Sequence, residues 1–231
     1  MTTFVTGDTH IPIDVQKLAY GNWPEARGLT KKDHVIVLGD FGLIWDMQES
    51  KEEKYWKKWL NERPYTTIAL LGNHENFPRL YELPEVDMFG DKVGVISDSI
   101  FYLKHGRVYT IDGKTIFVMG GARSIDKDLR TPGRSWWPQE IPSSEDIQLG
   151  WDNLEKHNFQ VDYVLTHTPP VGFGPYPSGN LVDSFMYTLN DYRLRITFKK
   201  WYFGHMHEDH QNHEKFIGLY DKIIQLGDDL I

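Results

Sequence analysis

Val35-Ile36-Val37-Leu38-Gly39-Asp40 is a short β-branched apolar run that breaks on a glycine and delivers a carboxylate. Consecutive apolar residues of this kind suit a strand buried on both faces, as in the parallel part of a sheet covered by other layers. The same plan recurs along the chain. Phe4 to Thr6 stops at Gly7-Asp8, Ile68 to Leu71 at Gly72-Asn73, Ile116 to Met119 at Gly120-Gly121, Tyr163 to Thr166 at His167, and Trp201 to Phe203 at Gly204-His205. All but the Gly120-Gly121 run hand a possible metal ligand to the following loop. Binding sites collect where loops leave the carboxyl ends of parallel strands, so the pattern gathers Asp, Asn and His side chains around one rim.

Between these runs lie helical signals. Glu49 to Asn61 puts Tyr55, Trp56, Trp59 and Leu60 on one face and most of its lysines off it, the pattern of an amphipathic cover helix. Ser143-Ser144-Glu145-Asp146 supplies a hydroxyl cap and first-turn acids, followed by Ile147, Trp151 and Leu154 at helical spacing. Val93 to Ile96, Val108 to Ile111 and Ile223 to Leu226 read as additional strands, some of them antiparallel. The loops from Arg130 to Pro142 and from Thr168 to Gly179 are long and rich in Pro and Gly, which marks them as functional rather than connecting.

The chain has 231 residues, with 25 basic and 33 acidic side chains and a net charge of −8. That length supports one domain over residues 1–231 with a core that needs no disulfide. The acidic balance argues against wrapping duplex nucleic acid or lying on an anionic membrane. There is no cysteine, which removes thiolate zinc sites, iron–sulfur clusters and cysteine nucleophiles together. A strand-like run starts at Phe4 without a basic, apolar leader, and no segment reaches membrane-spanning length, so the expectation is a soluble, cytoplasmic protein.

Taken in order, the candidate ligands are Gly7-Asp8-Thr9-His10, Gly39-Asp40, Gly72-Asn73-His74-Glu75, His167 and Gly204-His205-Met206-His207. Residues two apart in an extended segment share a side, so Asp8 with His10, and His205 with His207, can each converge on one centre. Mixed imidazole and carboxylate donors, enough for two ions, suit manganese, iron or zinc better than calcium or magnesium.

At these residues the chain resembles the calcineurin-like metallophosphoesterases, whose blocks read GDxH, GD, GNH, H and GHxH in this order. The resemblance runs from Gly7 to His207 and implies an α/β fold of two packed mixed β-sheets flanked by helices. It assigns Asp8, His10 and His207 to one metal ion, Asn73, His167 and His205 to the other, and Asp40 as the bridging carboxylate. His74 stays unligated, to protonate the leaving oxygen. It further implies two divalent transition-metal ions, manganese first with iron, zinc or nickel as alternatives, and a metal-bridging hydroxide that attacks phosphorus. Two ions outweigh the charge of Asp8 and Asp40, so a phosphate is attracted locally despite the acidic chain.

Protein-phosphatase members continue the second block as GDxxDR, where this chain has Asp40-Phe41-Gly42-Leu43-Ile44. Orienting His74 therefore falls to Asp46, Glu75 or a backbone carbonyl, and a Ser/Thr protein phosphatase is disfavoured. Glu75 stands where many phosphodiesterase-like members have Asp, which keeps the charge. In the loop after the fourth run, Arg123 is expected to grip phosphate and Trp136 to stack on a base or sugar, with Arg130 and Arg134 as weaker candidates. The stretch from Gly120 to Trp137 also looks like that of small bacterial and phage metallophosphoesterases. His34, His105 and His157 are expected to be structural or exposed, and His210 and His213 to face solvent. The expected activity is hydrolysis of a small, nucleotide-like phosphoester, diester or monoester. A nuclease for DNA or RNA ends and a catalytically silent scaffold of the same fold are the alternatives, and the oligomeric state stays open.

Overall fold

The computed structural model describes residues 1–175 and 182–230, so positions 176–179 of the second long loop lie outside the described residues. Val35, Ile36 and Val37 lie in strand β2 (His34–Val37), hydrogen-bonded in parallel to β1 (Thr3–Thr6) and β3 (Thr66–Ala69). β6 (Ile100–Leu103) extends the parallel group beside β3, and β5 (Asp91–Ser97), β4 (Glu85–Met88) and β13 (Ile223–Gln225) add antiparallel edges. The order of this seven-stranded sheet is β13-β1-β2-β3-β6-β5-β4. The second sheet runs β11-β12-β10-β9-β8-β7, from β7 (Arg107–Ile111), β8 (Lys114–Met119), β9 (Tyr163–Thr166), β10 (Lys200–Phe203), β11 (His210–Asn212) and β12 (Phe216–Gly218). Its inner strands β8, β9, β10 and β12 are parallel, and β7 and β11 close it antiparallel.

Alternation along each strand decides which layer it meets. Ile36 of β2 points into a core shared by the two sheets, with Val5, Ile68, Val118, Leu165 and Tyr202. Its neighbours Val35 and Val37 point the other way, against Trp56 and Leu60 of α1 (Lys51–Asn61) and Phe77 and Leu80 of α2 (Phe77–Tyr81). On the far side of the second sheet, Phe117, Val164 and Trp201 meet Leu154 of α3 (Ser144–Lys156) and Phe185, Leu189 and Tyr192 of α4 (Ser184–Arg195). Every central strand is therefore covered on both faces, which is why these runs are apolar without alternation. The result is the expected sandwich of two mixed sheets between helices.

The capping signals land where they were read. Ser143 accepts from Asp146 N while Asp146 accepts from Ser143 N, a complete capping box. In α1 the cap is Ser50, and one expectation changes: Tyr55 is exposed and Glu53 is buried. Arg79 of α2 donates to both Glu53 oxygens, at 2.7 and 3.0 Å, and Lys57 lies 2.6 Å away. This carboxylate is thus the polar link between the two helices.

Removing Arg79 takes two hydrogen bonds from the buried Glu53 carboxylate and leaves it to Lys57 alone. Arg79→Ala is expected to cost about 2–4 kcal/mol in urea unfolding, and adding Glu53→Ala should cost much less than the sum of the single changes. Full additivity would show that the pair is not the link.

Candidate metal centre

Two carboxylates lie at the floor of the rim, Asp8 just after β1 and Asp40 just after β2, and both are buried. Each collects backbone donors from a neighbouring loop. Asp40 Oδ1 accepts from Asn73 N at 2.7 Å and His74 N at 2.8 Å, and Asp8 Oδ1 accepts from His205 N at 2.9 Å. The carboxylates therefore fix the loops that carry the other ligands. The space is so tight that a Cβ on Gly72 would stand 2.1 Å from Asp40 N, and one on Gly39, whose φ is +95°, would stand 2.3 Å from His167 Nδ1. His10, Asp40, His205 and His207 also hold left-handed backbone, at φ of 33°, 44°, 64° and 50°. Non-glycine residues persist there when the surrounding structure imposes it, as at ligand-holding sites.

The imidazoles are aimed from behind. His10 Nδ1 lies 2.8 Å from Asp14 Oδ2, and His167 Nδ1 donates to Leu38 O at 2.7 Å. In the neutral ring this leaves the Nε2 lone pair facing inward, the arrangement of metal-ligating histidines. His10 Nε2 is 3.2 Å from Asp40 Oδ2, and His167 Nε2 is 3.1 Å from Asp40 Oδ1, so Asp40 faces both rings. Asn73 is held by Ser124, whose hydroxyl accepts from Asn73 Nδ2 at 3.2 Å and donates to Glu140 at 2.5 Å. That turns Asn73 Oδ1 toward His167 Nε2, 3.1 Å away. His207 is stacked on Tyr220 with ring centroids 4.8 Å apart. Sequence reasoning missed Asp14, Ser124, Glu140 and Tyr220, because none stands in a ligand block.

Donor atoms converge in three groups, each within 4.8 Å: Asp8, His10 and His207; Asp40, His167 and His205; and His10, Asp40 and His74. The fit to divalent ions rests on more than proximity. Asp8 Oδ2 is buried with no hydrogen-bond partner, although His207 Nε2 stands 3.1 Å away, and an orphaned buried carboxylate oxygen is costly unless a cation completes it. Burial drives the charge off His10 and His167, but Asp40 and then Asp8 outweigh it and raise both to about 9. Burial also opposes charge on Asp40, yet His167 and His10 hold it well below the usual carboxylate range. Without metal, protons on these histidines supply the positive charge that the two carboxylates require. Burial and the neighbouring charge on His167 push His205 down to about 4.

His74 stands beside this group without a carboxylate behind it. Its ring stacks on Trp45 at 5.7 Å and 20°, and Trp137 meets Trp45 edge-on at 5.4 Å. Arg130 Nη2 donates to His74 Nε2 at 3.0 Å, and Arg130 is itself held by Asp126. Of the groups expected to orient His74, Glu75 turns away to accept from Phe41 N at 2.8 Å. Burial and then Asp40 raise Glu75 to about 8, against the backbone N–H groups that it accepts from. Asp46 borders the adjoining cleft.

Over the ligands opens a cavity of about 390 Å³ lined by Asp40, Asn73, His74, Arg130, His205 and His207 among others. The two expected phosphate contacts lie outside this cavity. Arg123 is exposed and Trp136 is half-buried, and neither lines the cavity. The guanidinium that reaches it is Arg130. Asp126 and the Ser135 carbonyl turn Arg130 inward, whereas no such anchor was legible for choosing among three arginines in one loop. His34 and His105 are buried, and His157 is exposed with Nδ1 on the Asn153 carbonyl.

A family model described as calcineurin-like phosphoesterase matches residues 1–209. Human metallophosphoesterase domain-containing protein 1 is 27% identical over 219 residues, covering 90% of this chain and 61% of its own length. The mouse protein of the same name gives the same values. The chain thus spans about three fifths of the length of these curated relatives.

A histidine raised on folding contributes stability that is fully present below its unfolded value of about 6.5 and is lost as pH rises through the folded one. For His10 and His167 that window ends at about 9. The metal-stripped protein should therefore melt at lower temperature as pH climbs through it. Manganese competes with the same protons and should bind more tightly over that range. Calorimetry with and without chelator checks both, and a stripped protein whose melting temperature rises over the window contradicts the assignment.

Proposed function

Because the chain belongs to the calcineurin-like phosphoesterase family, we propose that it hydrolyses small phosphoesters with two divalent transition-metal ions, manganese foremost. The observation that carries this reading is the buried Asp40 carboxylate facing His10 and His167 at once, with the buried Asp8 Oδ2 beside them 3.1 Å from His207 Nε2. Asp8, His10 and His207 would hold one ion, Asn73, His167 and His205 the other, and Asp40 both. When bound, such ions supply Lewis acidity and draw the pKa of water toward neutrality.

The chain's own residues do the rest. Arg130 is the one guanidinium among the described residues lining the cavity, and its fork suits two phosphoryl oxygens. In this structure it donates to His74 Nε2, so that nitrogen carries a lone pair. Once Arg130 turns to phosphate, Nε2 is free to hold a proton and pass it to the leaving oxygen. Trp45 keeps the ring plane fixed meanwhile. A cavity of about 390 Å³ in a chain of net charge −8 favours a small substrate over a polymer, and a nucleotide-like ester is the class we favour. The compartment follows the same reading: among the described residues no helix is long and apolar enough to cross a membrane, and a cytoplasmic setting suits a cysteine-free enzyme.

His74→Ala is expected to lower kcat by about 10²- to 10⁴-fold with manganese content unchanged by elemental analysis. Loss of metal together with activity would make His74 a ligand instead. Arg130→Ala should raise KM by about tenfold or more, the loss of a charged hydrogen bond, again at unchanged metal content. Chelation should abolish turnover of aryl phosphoesters and manganese should restore it. A fully loaded protein inert on monoesters, diesters and cyclic nucleotides would refute the function proposed.

A further inference from the structure

Beside the cavity over the metal ligands lies a second one of about 310 Å³, and His10 and His74 line both. The chemistry of the second is different. Its walls are Ile11, Ile13, Leu43, Trp45 and Trp56. Asp46 and Glu52 stand exposed at its mouth, and Glu53 below them is committed to Arg79 and Lys57. Among the described residues no lysine or arginine lines it.

We infer that this second cavity is the subsite for the alcohol half of the ester. It takes an uncharged alcohol with an apolar or aromatic body and turns away one bearing a further phosphate or carboxylate. The inference rests on the phosphoesterase reading above and adds which way the substrate lies.

The direction follows from His74. Arg130 approaches its ring at Nε2 from the cavity that holds the metal ligands, so the phosphoryl oxygens drawn to the guanidinium belong on that flank. The oxygen that His74 protonates must lie within reach of the same ring. The group attached to that oxygen then extends to the other flank, where the Trp45 face and the Ile13 side chain stand. At 74% exposed in the free protein, Ile13 is an apolar surface with something to gain from a bound ring. A volume of about 310 Å³ is at the small end for organic ligands, which suits one ring system. Exclusion is electrostatic: a second anion there meets Asp46 and Glu52 with no lining lysine or arginine to offset them, in a cleft where charges interact more strongly than in bulk water. Arg134 borders the far side of Asp46 but does not line this cleft.

The test compares phenyl and 4-carboxyphenyl phosphates, as monoesters and as methyl diesters, on the manganese-loaded protein, with rates corrected for leaving-group acidity. The phenyl esters should exceed the carboxylated ones in kcat/KM by about tenfold, the scale of one screened like-charge contact. Asp46→Asn with Glu52→Lys should erase that gap. Ile13→Asp should raise KM for the phenyl ester by about tenfold, with metal content unchanged, as the charge of the substitution takes the place of an apolar contact. All of these positions are solvent-exposed, so the core is left intact. Equal kcat/KM for the two esters, or a gap that the variants leave in place, overturns the subsite while the phosphoesterase reading stands. A metal-loaded protein that hydrolyses none of the esters overturns both.

Discussion

The structure depends on how two buried negative charges are tolerated. Asp8 and Asp40 lie at the ends of adjacent parallel strands, out of reach of solvent, and an isolated carboxylate so placed would take up a proton. Here each keeps its charge because backbone amides and imidazoles from neighbouring loops are bent toward it. Much of the local architecture answers that need. The glycines before Asp40 and Asn73 make room for it, and the left-handed residues around the rim are the conformational cost. The cavity and its ligands are one arrangement seen from two sides.

A second layer gives the ligands their direction. Asp14, the Leu38 carbonyl, Ser124 with Glu140, and Tyr220 each fix one ring or amide. The layer comes from the turn after the first block, from the residue after β2, from the loop after β8 and from the segment leading to β13. Such supports tune ligand basicity and geometry as much as the ligands themselves do. His74 is the exception, held by an indole face and a guanidinium rather than by a carboxylate. An imidazole so held is not pushed toward the charged state by its support, which suits a group that must both carry and release a proton.

What was legible in the sequence divides along the same line. The ligand blocks could be read because each sits where a doubly buried strand runs out, and a continuous apolar run ending on glycine is a strong local signal. Helix α4 was not legible, since Phe185, Met186, Leu189 and Tyr192 are its buried residues but are interleaved with exposed Tyr187 and Leu194, so no single apolar stripe stands out. Strands β11 and β12 are three residues each, too short for any period to show. Arg130 could not be told from Arg123 because its inward turn is made by Asp126 and a carbonyl five residues on, contacts that exist only after the loop has folded. Departure from the GDxxDR block was visible at Leu43 and Ile44. Its answer, Trp45, was the next residue, and only the stacking geometry shows it.

Asp8, His10, Asp40 and Asn73 ride on strands of the seven-stranded sheet, whereas His167, His205 and His207 ride on the other. The alignment of the ligand set is thus a measurement of how one sheet sits on its neighbour. Ile36, Ile68, Val118 and Leu165, packed between the sheets, set that offset as a shim sets the gap between two plates. Interiors this dense transmit strain rather than absorb it. Tolerance to change at those aliphatic positions is therefore narrower than burial alone would dictate: a replacement that keeps the fold but shifts the sheets by a fraction of an ångström is felt first as a mismatched coordination sphere.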